Sequence, residues 1–230
     1  MKKVIVITGG NSGLGKATAK ILANKHRVIV LDKNVKELEK TSKELKCDGM
    51  VCEVTSREEI ENTFSKIIKK YKKVDCLINC AGVWAFGPIE KHSEAEIKDV
   101  IMVNTVGTML TTGVVVPQMK KQKSGRIINV VSQAGLQGRA ERSLYNASKW
   151  AVTGFTKSLQ LELSPFNISV VGFYPGFIET GIFKKAKDYR ADFSTAMKVI
   201  QPAKALAYLV DVDSDLVIKS FEIESIKSIK

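Results

Sequence analysis

The chain has 230 residues, 44% of them hydrophobic, with 36 lysines and arginines against 24 aspartates and glutamates, a formal net charge of +12. That length and apolar content suit one large α/β domain, residues 1–230, with a substantial core. No apolar run approaches the ~20 residues of a membrane span, no signal-peptide pattern opens the chain, and the lysines are spread along predicted helices instead of clustering as a nucleic-acid footprint.

Lys3 to Thr8 is a β-branched run, followed by Gly9-Gly10-Asn11-Ser12-Gly13-Leu14-Gly15 and a helix-prone segment, Lys16 to Asn24. Strand, glycine turn and helix in that order suit a phosphate. Glycines permit positive φ and close backbone approach, and a first helical turn offers free N–H groups to a pyrophosphate. A second apolar run, His26 to Leu31, stops at Asp32. In a parallel dinucleotide-binding sheet a carboxylate there accepts hydrogen bonds from the adenosine ribose and repels a 2′-phosphate, which favours NAD(H) over NADP(H). An aspartate at that position also suits a helix cap, and Lys33 beside it is a cation able to pair with the phosphate of NADP(H).

Asn34 to Leu45 reads as a helix, Gly49 to Glu53 as a strand, and Ser56 with Glu59 as a capping box opening another helix. Val74 to Asn79 is the fourth strand, and Trp84 and Phe86 in the loop after it are candidate walls of a substrate pocket or core aromatics. Ser93 to Lys121 has helical periodicity, with Asn104 inside it, Gly107 and Gly113 softening it, and Pro117 placed to bend or end it. Arg126 to Val131 is the fifth strand and delivers Ser132 to the carboxyl edge, where open parallel sheets collect their ligands.

A helix over Leu144 to Leu163 sets Lys149 one turn beyond Tyr145 on the same face, so an ammonium stands beside a phenol and lowers its pKa. The intervening loop, Gln133 to Arg142, is long enough to bring the Ser132 and Tyr145 hydroxyls to one pocket. A G-x-S-x-G elbow is lacking and neither His26 nor His92 partners Ser132, which makes a hydrolase triad the inferior explanation. Ile168 to Phe173 is the sixth strand, with a Pro175-Gly176 turn after it; residues 181–201 read as a substrate lid, Pro202 to Val210 as a helix and Leu216 to Ile223 as the last strand. Cys47, Cys52, Cys76 and Cys80 lie in or beside apolar segments without zinc spacing. They read as reduced thiols in a cytoplasmic protein, with no metal site.

The loop Thr8-Gly9-x-x-x-Gly13-x-Gly15, the turn Asn79-Cys80-Ala81-Gly82, Ser132 after the fifth strand and Tyr145-x-x-x-Lys149 together resemble the short-chain dehydrogenase/reductase family. The resemblance implies a doubly wound Rossmann-type α/β fold, its seven-stranded, mostly parallel sheet carrying helices on both faces. It implies hydride transfer between a nicotinamide and a small-molecule carbonyl/alcohol pair, with Tyr145 as acid/base, Ser132 orienting the substrate oxygen and Lys149 holding the nicotinamide ribose. By the same resemblance, Asn104 holds a relay water.

The resemblance implies the cofactor positions residue by residue, as follows. Thr8, Gly9, Asn11, Ser12, Gly13, Leu14 and Gly15 belong to the pyrophosphate turn, and Asp32 and Lys33 to the adenosine ribose. Glu53 and Val54 flank the adenine, where relatives often have Asp-Val. Asn79, Ala81 and Gly82 approach the cofactor's ribose, while Pro175, Gly176, Ile178 and Thr180 cover the nicotinamide. The helices over Ser93 to Lys121 and Tyr145 to Leu163 resemble a subunit contact, which implies a homodimer or homotetramer. Gly125 to Val131 and Tyr145 to Leu163 look like 3-oxoacyl carrier-protein reductases, which commonly use NADPH. That activity, with acyl carrier protein as partner, is the alternative. A non-catalytic nucleotide sensor is a third reading, against which the complete Asn104, Ser132, Tyr145 and Lys149 set argues.

Overall fold

The computed structural model describes residues 2–185, 192–213 and 215–229. Its strands are β1 (Val4–Thr8), β2 (Arg27–Asp32), β3 (Asp48–Val51), β4 (Cys76–Asn79), β5 (Gly125–Val130), β6 (Ile168–Pro175), β7 (Ile178–Glu179), β8 (Met197–Lys198) and β9 (Ser220–Ile223). Seven of them form one sheet in the order β3-β2-β1-β4-β5-β6-β9, and every pairing in it is parallel. The antiparallel member that "mostly parallel" allowed for does not occur in it.

All five residues of β1 are buried, as a central strand covered on both faces requires. The period of two sends Ile5 and Ile7 to one layer and Val4 and Val6 to the other. On the first face lie α1 (Gly13–Leu22), α2 (Val35–Leu45) and α7 (Ile200–Asp211), contributing Leu22, Leu38 and Leu206. The second carries α3 (Arg57–Tyr71), α5 (Gly107–Gln122) and α6 (Ser143–Leu163), with Phe64, Met119 and Leu159. Strand order runs outward in one direction from β1 and in the other from β4, so the crossovers part between those two strands. A crevice opens there at the carboxyl edge.

Several boundaries differ from those read in sequence, each for a local reason. Helix α1 begins at Gly13, three residues before Lys16: Gly13 enters it at φ 47°, and Leu14 and Gly15 follow in its first turn. The last strand begins at Ser220 instead of Leu216. The buried Arg126 guanidinium donates to the carbonyls of Leu209, Val212, Asp213 and Leu216, holding the chain after α7 in a turn before it reaches the sheet. Capping of α3 is half a box: Ser56 Oγ accepts from Glu59 N at 3.3 Å, but the Glu59 carboxylate turns to Glu53 N at 2.9 Å. Residues 186–191 of the expected lid lie outside the described residues; on either side, β7 and β8 pair with each other.

The stretch Glu94–Gln122 is one continuous helical rod of 29 residues, α4 (Glu94–Ile101), a π turn (Met102–Val106) and α5. By length and composition it is able to cross a bilayer, contrary to the expectation that no run approaches that length. Its setting is a sheet crossover between β4 and β5, with half of its most apolar window buried. Polar groups also tie it to the sheet: Asn79 of β4 donates to Thr112 Oγ1 at 2.9 Å and accepts from Thr111 Oγ1 at 2.7 Å. Pro117 sits inside α5 without ending it.

Candidate active site

The crevice between β1 and β4 is a cavity of about 650 Å³. Every cofactor and catalytic position expected from the sequence lines it except Thr8, Asn79 and Asn104, which stand directly behind its wall. Thr8 Oγ1 accepts from the backbone N–H groups of Cys80 and Ala81, both at 3.1 Å, and so joins the turn after β1 to the turn after β4. Gly9 lies between them at φ 65°, and a Cβ there would stand 2.7 Å from Ala81 Cα. No other residue fits. Gly15 is equally confined, since its Cβ would meet Gly9 O at 2.4 Å. Ser12 leaves the start of α1 without a side-chain cap, and its first turn holds no acidic residue, so unpaired N–H groups and the positive end of the helix are available to an anion.

Asp32 ends β2 with Oδ1 accepting from Asn34 N at 3.1 Å. Burial pushes its carboxyl up, against backbone hydrogen bonds from Asn34, Asn11 and Lys33. The Lys33 ammonium is already engaged, donating to Glu53 Oε2 at 2.9 Å. Burial pushes Glu53 up, but the hydrogen bonds from Lys33 and Thr55 outweigh it and hold this carboxyl below its usual value. On the opposite side Asn79 turns away from the cavity. Its amide donates to Thr112 Oγ1 and Asn129 Oδ1, and Asn129 in turn donates to Thr156 of α6 at 2.9 Å.

Ser132 follows β5 with φ 155° and ψ 161°, a region almost confined to glycine. Its Oγ accepts from Ala134 N at 3.1 Å. Tyr145 and Lys149 lie on the first turns of α6, both buried, with Lys149 Nζ 5.7 Å from the phenol ring centre. That ammonium donates to Val130 O at 3.0 Å. Burial pushes the Tyr145 phenol up to about 12, with the Ser132 hydroxyl and the Arg142 guanidinium pulling it back. Burial likewise takes Lys149 down to about 8. The expectation that the ammonium brings the phenol down is therefore corrected: lost hydration is the largest influence on both groups, and the cation that pulls the phenol back is Arg142. At neutral pH the phenol keeps its proton.

Asn104 lies in the π turn, where Gly107 N reaches back to Met102 O. Its Oδ1 accepts from Val83 N at 2.8 Å, and Nδ2 donates to Val83 O and Ser148 Oγ, both at 3.0 Å. Both ends of the amide are thus engaged in clamping the loop after β4 to α6. Gly82 intervenes between this amide and Lys149.

A family model for short chain dehydrogenases matches residues 3–191 of the chain. The chain belongs to the short-chain dehydrogenase/reductase family. It is an oxidoreductase with the family's Rossmann-type fold. The 3-oxoacyl-[acyl-carrier-protein] reductase FabG of Thermotoga maritima is 38% identical over 191 residues, covering 80% of this chain and 77% of that protein. Carbonyl reductase family member 4 of Xenopus laevis is 34% identical, covering 82% and 80%. Among solved structures, an actinorhodin polyketide ketoreductase with NADPH superposes with a TM-score of 0.89 at 28% identity, covering 97% of this chain and 96% of that one. ElxO with NADP bound gives 0.89 at 25%, covering all of both.

Among the lining or neighbouring residues of this dehydrogenase/reductase that the sequence motifs do not mark are Phe177, Phe183 and Arg142. Arg142 had a usable signal, since it stands three residues before Tyr145 and therefore one turn away on the same side. Phe183 falls within the segment read as a lid, and Phe177 directly follows the Pro175-Gly176 turn. Of the two aromatics read as candidate walls, Trp84 lines the cavity and Phe86 does not. Tyr145→Phe is expected to retain cofactor binding and lower kcat by about 10²–10⁴-fold, the usual worth of a positioned acid/base. Steady-state kinetics beside equilibrium cofactor titration check this; undiminished turnover removes Tyr145 from the chemistry.

Proposed function

We propose that this enzyme reduces a small-molecule carbonyl to an alcohol with NADH, and runs the reverse oxidation less readily. The buried, proton-bearing Tyr145 phenol beside Ser132 carries that reading. The cavity residues fit a dinucleotide: an open helix N-terminus for the pyrophosphate, a strand-end carboxylate for a ribose, and Gly9 where a side chain would block the backbone's approach. Bound there, the nicotinamide supplies the hydride. Tyr145 Oη passes its proton to the substrate oxygen, and Ser132 Oγ holds that oxygen in line. Lys149, charged below about pH 8, favours the phenolate that remains.

Preference for NAD(H) is supported by the charges at the adenosine end. Asp32, Glu37 and Glu53 line it, and its lysine, Lys33, is committed to Glu53. A 2′-phosphate would meet carboxylates first. The alternative, an NADPH-dependent 3-oxoacyl-carrier-protein reductase, draws support from the Thermotoga relative, from the NADP-bound structural neighbours and from a net charge of +12 suited to an acidic carrier. We further propose a cytoplasmic homodimer or homotetramer. Four unpaired thiols suit a reducing compartment, and α6 exposes Trp150 and Leu161 on one side.

Three measurements test these proposals. With the carbonyl held constant, kcat/KM is expected to favour NADH over NADPH by at least about tenfold. Glu53→Gln, which releases Lys33, should narrow that preference by about tenfold, the worth of one charge-assisted hydrogen bond. A strong NADPH preference in the wild type would instead lift the acyl-carrier reading. For the reduction, kcat/KM should stay level in mildly acidic buffer and fall as pH rises through about 8, where Lys149 loses its charge. Lys149→Arg moves that fall upward, whereas a rate that climbs through the same range would mean that phenolate is the working form. Light scattering at micromolar concentration is expected to give twice or four times the 25.3 kDa chain mass; a monomer overturns the assembly.

A further inference from the structure

Charged side chains are unevenly distributed around the cavity. Carboxylates crowd the adenosine end and Lys149 lies at the centre, but the described lining beyond Tyr145 has no charged side chain. Its walls there are Val83, Trp84, Phe177, Ile182 and Phe183. The aromatic members form a connected series. Trp84 packs on Tyr145 with ring centres 4.5 Å apart and meets Phe183 edge-on at 5.1 Å. Phe183 touches Phe177 at 5.1 Å, and Phe177 stacks on Phe193 at 5.5 Å. Outside the lining, the Arg142 guanidinium sits 5.2 Å from the Trp84 ring centre, a cation–π contact that fixes the indole against the phenol.

Such walls discriminate by chemistry. A ring laid against an indole and a phenyl gains about 0.5–1.5 kcal/mol beyond the area it buries. A carboxylate placed there loses its hydration and meets no cation among the described lining residues, because Arg142 stands behind Trp84 instead of in the cavity. An open alkyl chain is accepted but loses rotamer freedom that a ring does not have. We propose that the substrate half of this cavity is a ring-recognition subsite, selecting an uncharged aryl or alicyclic ketone or aldehyde, with Trp84 and Phe183 as its walls and Arg142 as the residue that positions Trp84. The substrate class rests on the carbonyl-reductase reading above; the ring subsite itself does not need turnover.

Binding is therefore read first, by calorimetry on the full chain with saturating NADH, using amides as carbonyl analogues that are not reduced. Benzamide is expected to bind at least tenfold more tightly than either hexanamide or benzoate. Trp84→Ala should abolish that advantage and Trp84→Phe should restore part of it. Phe183→Ala, which removes the ring packed edge-on against Trp84, should reduce the same advantage. Equal or tighter binding of benzoate, or a Trp84→Ala loss shared equally by benzamide and hexanamide, overturns the subsite.

Turnover is read second. Acetophenone and cyclohexanone should exceed 2-octanone in kcat/KM by tenfold or more, and Trp84→Ala should collapse that ratio mainly through KM. A tenfold preference for an open-chain 3-oxoacyl thioester overturns the substrate class while leaving the reductase in place. Selective benzamide binding with no carbonyl turned over does the opposite: it keeps the subsite and removes the reductase reading.

Discussion

Parallel strands that all end on one edge leave a gap where the crossover direction reverses, and in this chain the Thr8 hydroxyl spans it. Its oxygen accepts from two backbone N–H groups of the turn after β4, donors that the sheet has stopped pairing at that point. The two turns are thereby drawn so close that only glycine fits at position 9. Behind them the Asn79 amide extends the same tie to β5 through Asn129, to α5 through Thr111 and Thr112, and through Asn129 to Thr156 of α6. The strand that lines the cofactor cleft and the helix that carries Tyr145 are thus linked by one buried polar network. Each member is satisfied only while the others are present, so loosening one end costs hydrogen bonds at the other.

Within that frame the balance of burial and charge decides what Tyr145 is. A phenol in water needs only a modest field to ionise more easily, and a lysine one turn away supplies one. Here both groups are nearly inaccessible, Trp84 covers the phenol, and the ammonium is turned to the Val130 carbonyl. Desolvation raises the one to about 12 and lowers the other to about 8, so two values that nearly coincide in water move apart. A proton-bearing phenol beside a charged amine is the starting state for giving a proton to an oxygen that has just accepted a hydride. Removing a proton from an alcohol needs the costlier, ionised state.

Much of this was legible in the sequence because the relevant residues are local. Strand, glycine turn and carboxylate at a strand end each depend on a few adjacent side chains, and the cavity contains them as expected. Asn104 inside a helix was equally visible, since an amide is a poor interior helix residue, and the structure answers it with a π turn. Tertiary facts were hidden. The sign of the Tyr145 shift depends on burial by Trp84 and not on the spacing to Lys149. In sequence Lys33 reads as a cation able to pair with a phosphate, but Glu53, 20 residues away in the chain, holds it. The uncharged run through residues 101–118 hid its own nature in the other direction, for it takes the bonds of Asn104, Thr105, Thr111 and Thr112 to the sheet and to α6 to identify its polar face as an inner one.

Two irregularities of the backbone converge on the same cavity, and they belong together. Ser132 holds a conformation that costs an ordinary residue roughly 1–3 kcal/mol, and the π turn at Asn104 interrupts a 29-residue rod that would otherwise be regular. Neither is forced by a proline or by a glycine at the site. Each is held by bonds that regular geometry would not offer: Ser132 Oγ to Ala134 N, and the Asn104 amide to both backbone groups of Val83. The first holds the Ser132 hydroxyl at the cavity wall. The second holds the loop that presents Trp84 to the phenol. A regular strand end and an unbroken helix would relieve the strain at Ser132 and restore the helical ladder, but would release the bonds that hold Ser132 and the loop of Val83 in place around the cavity.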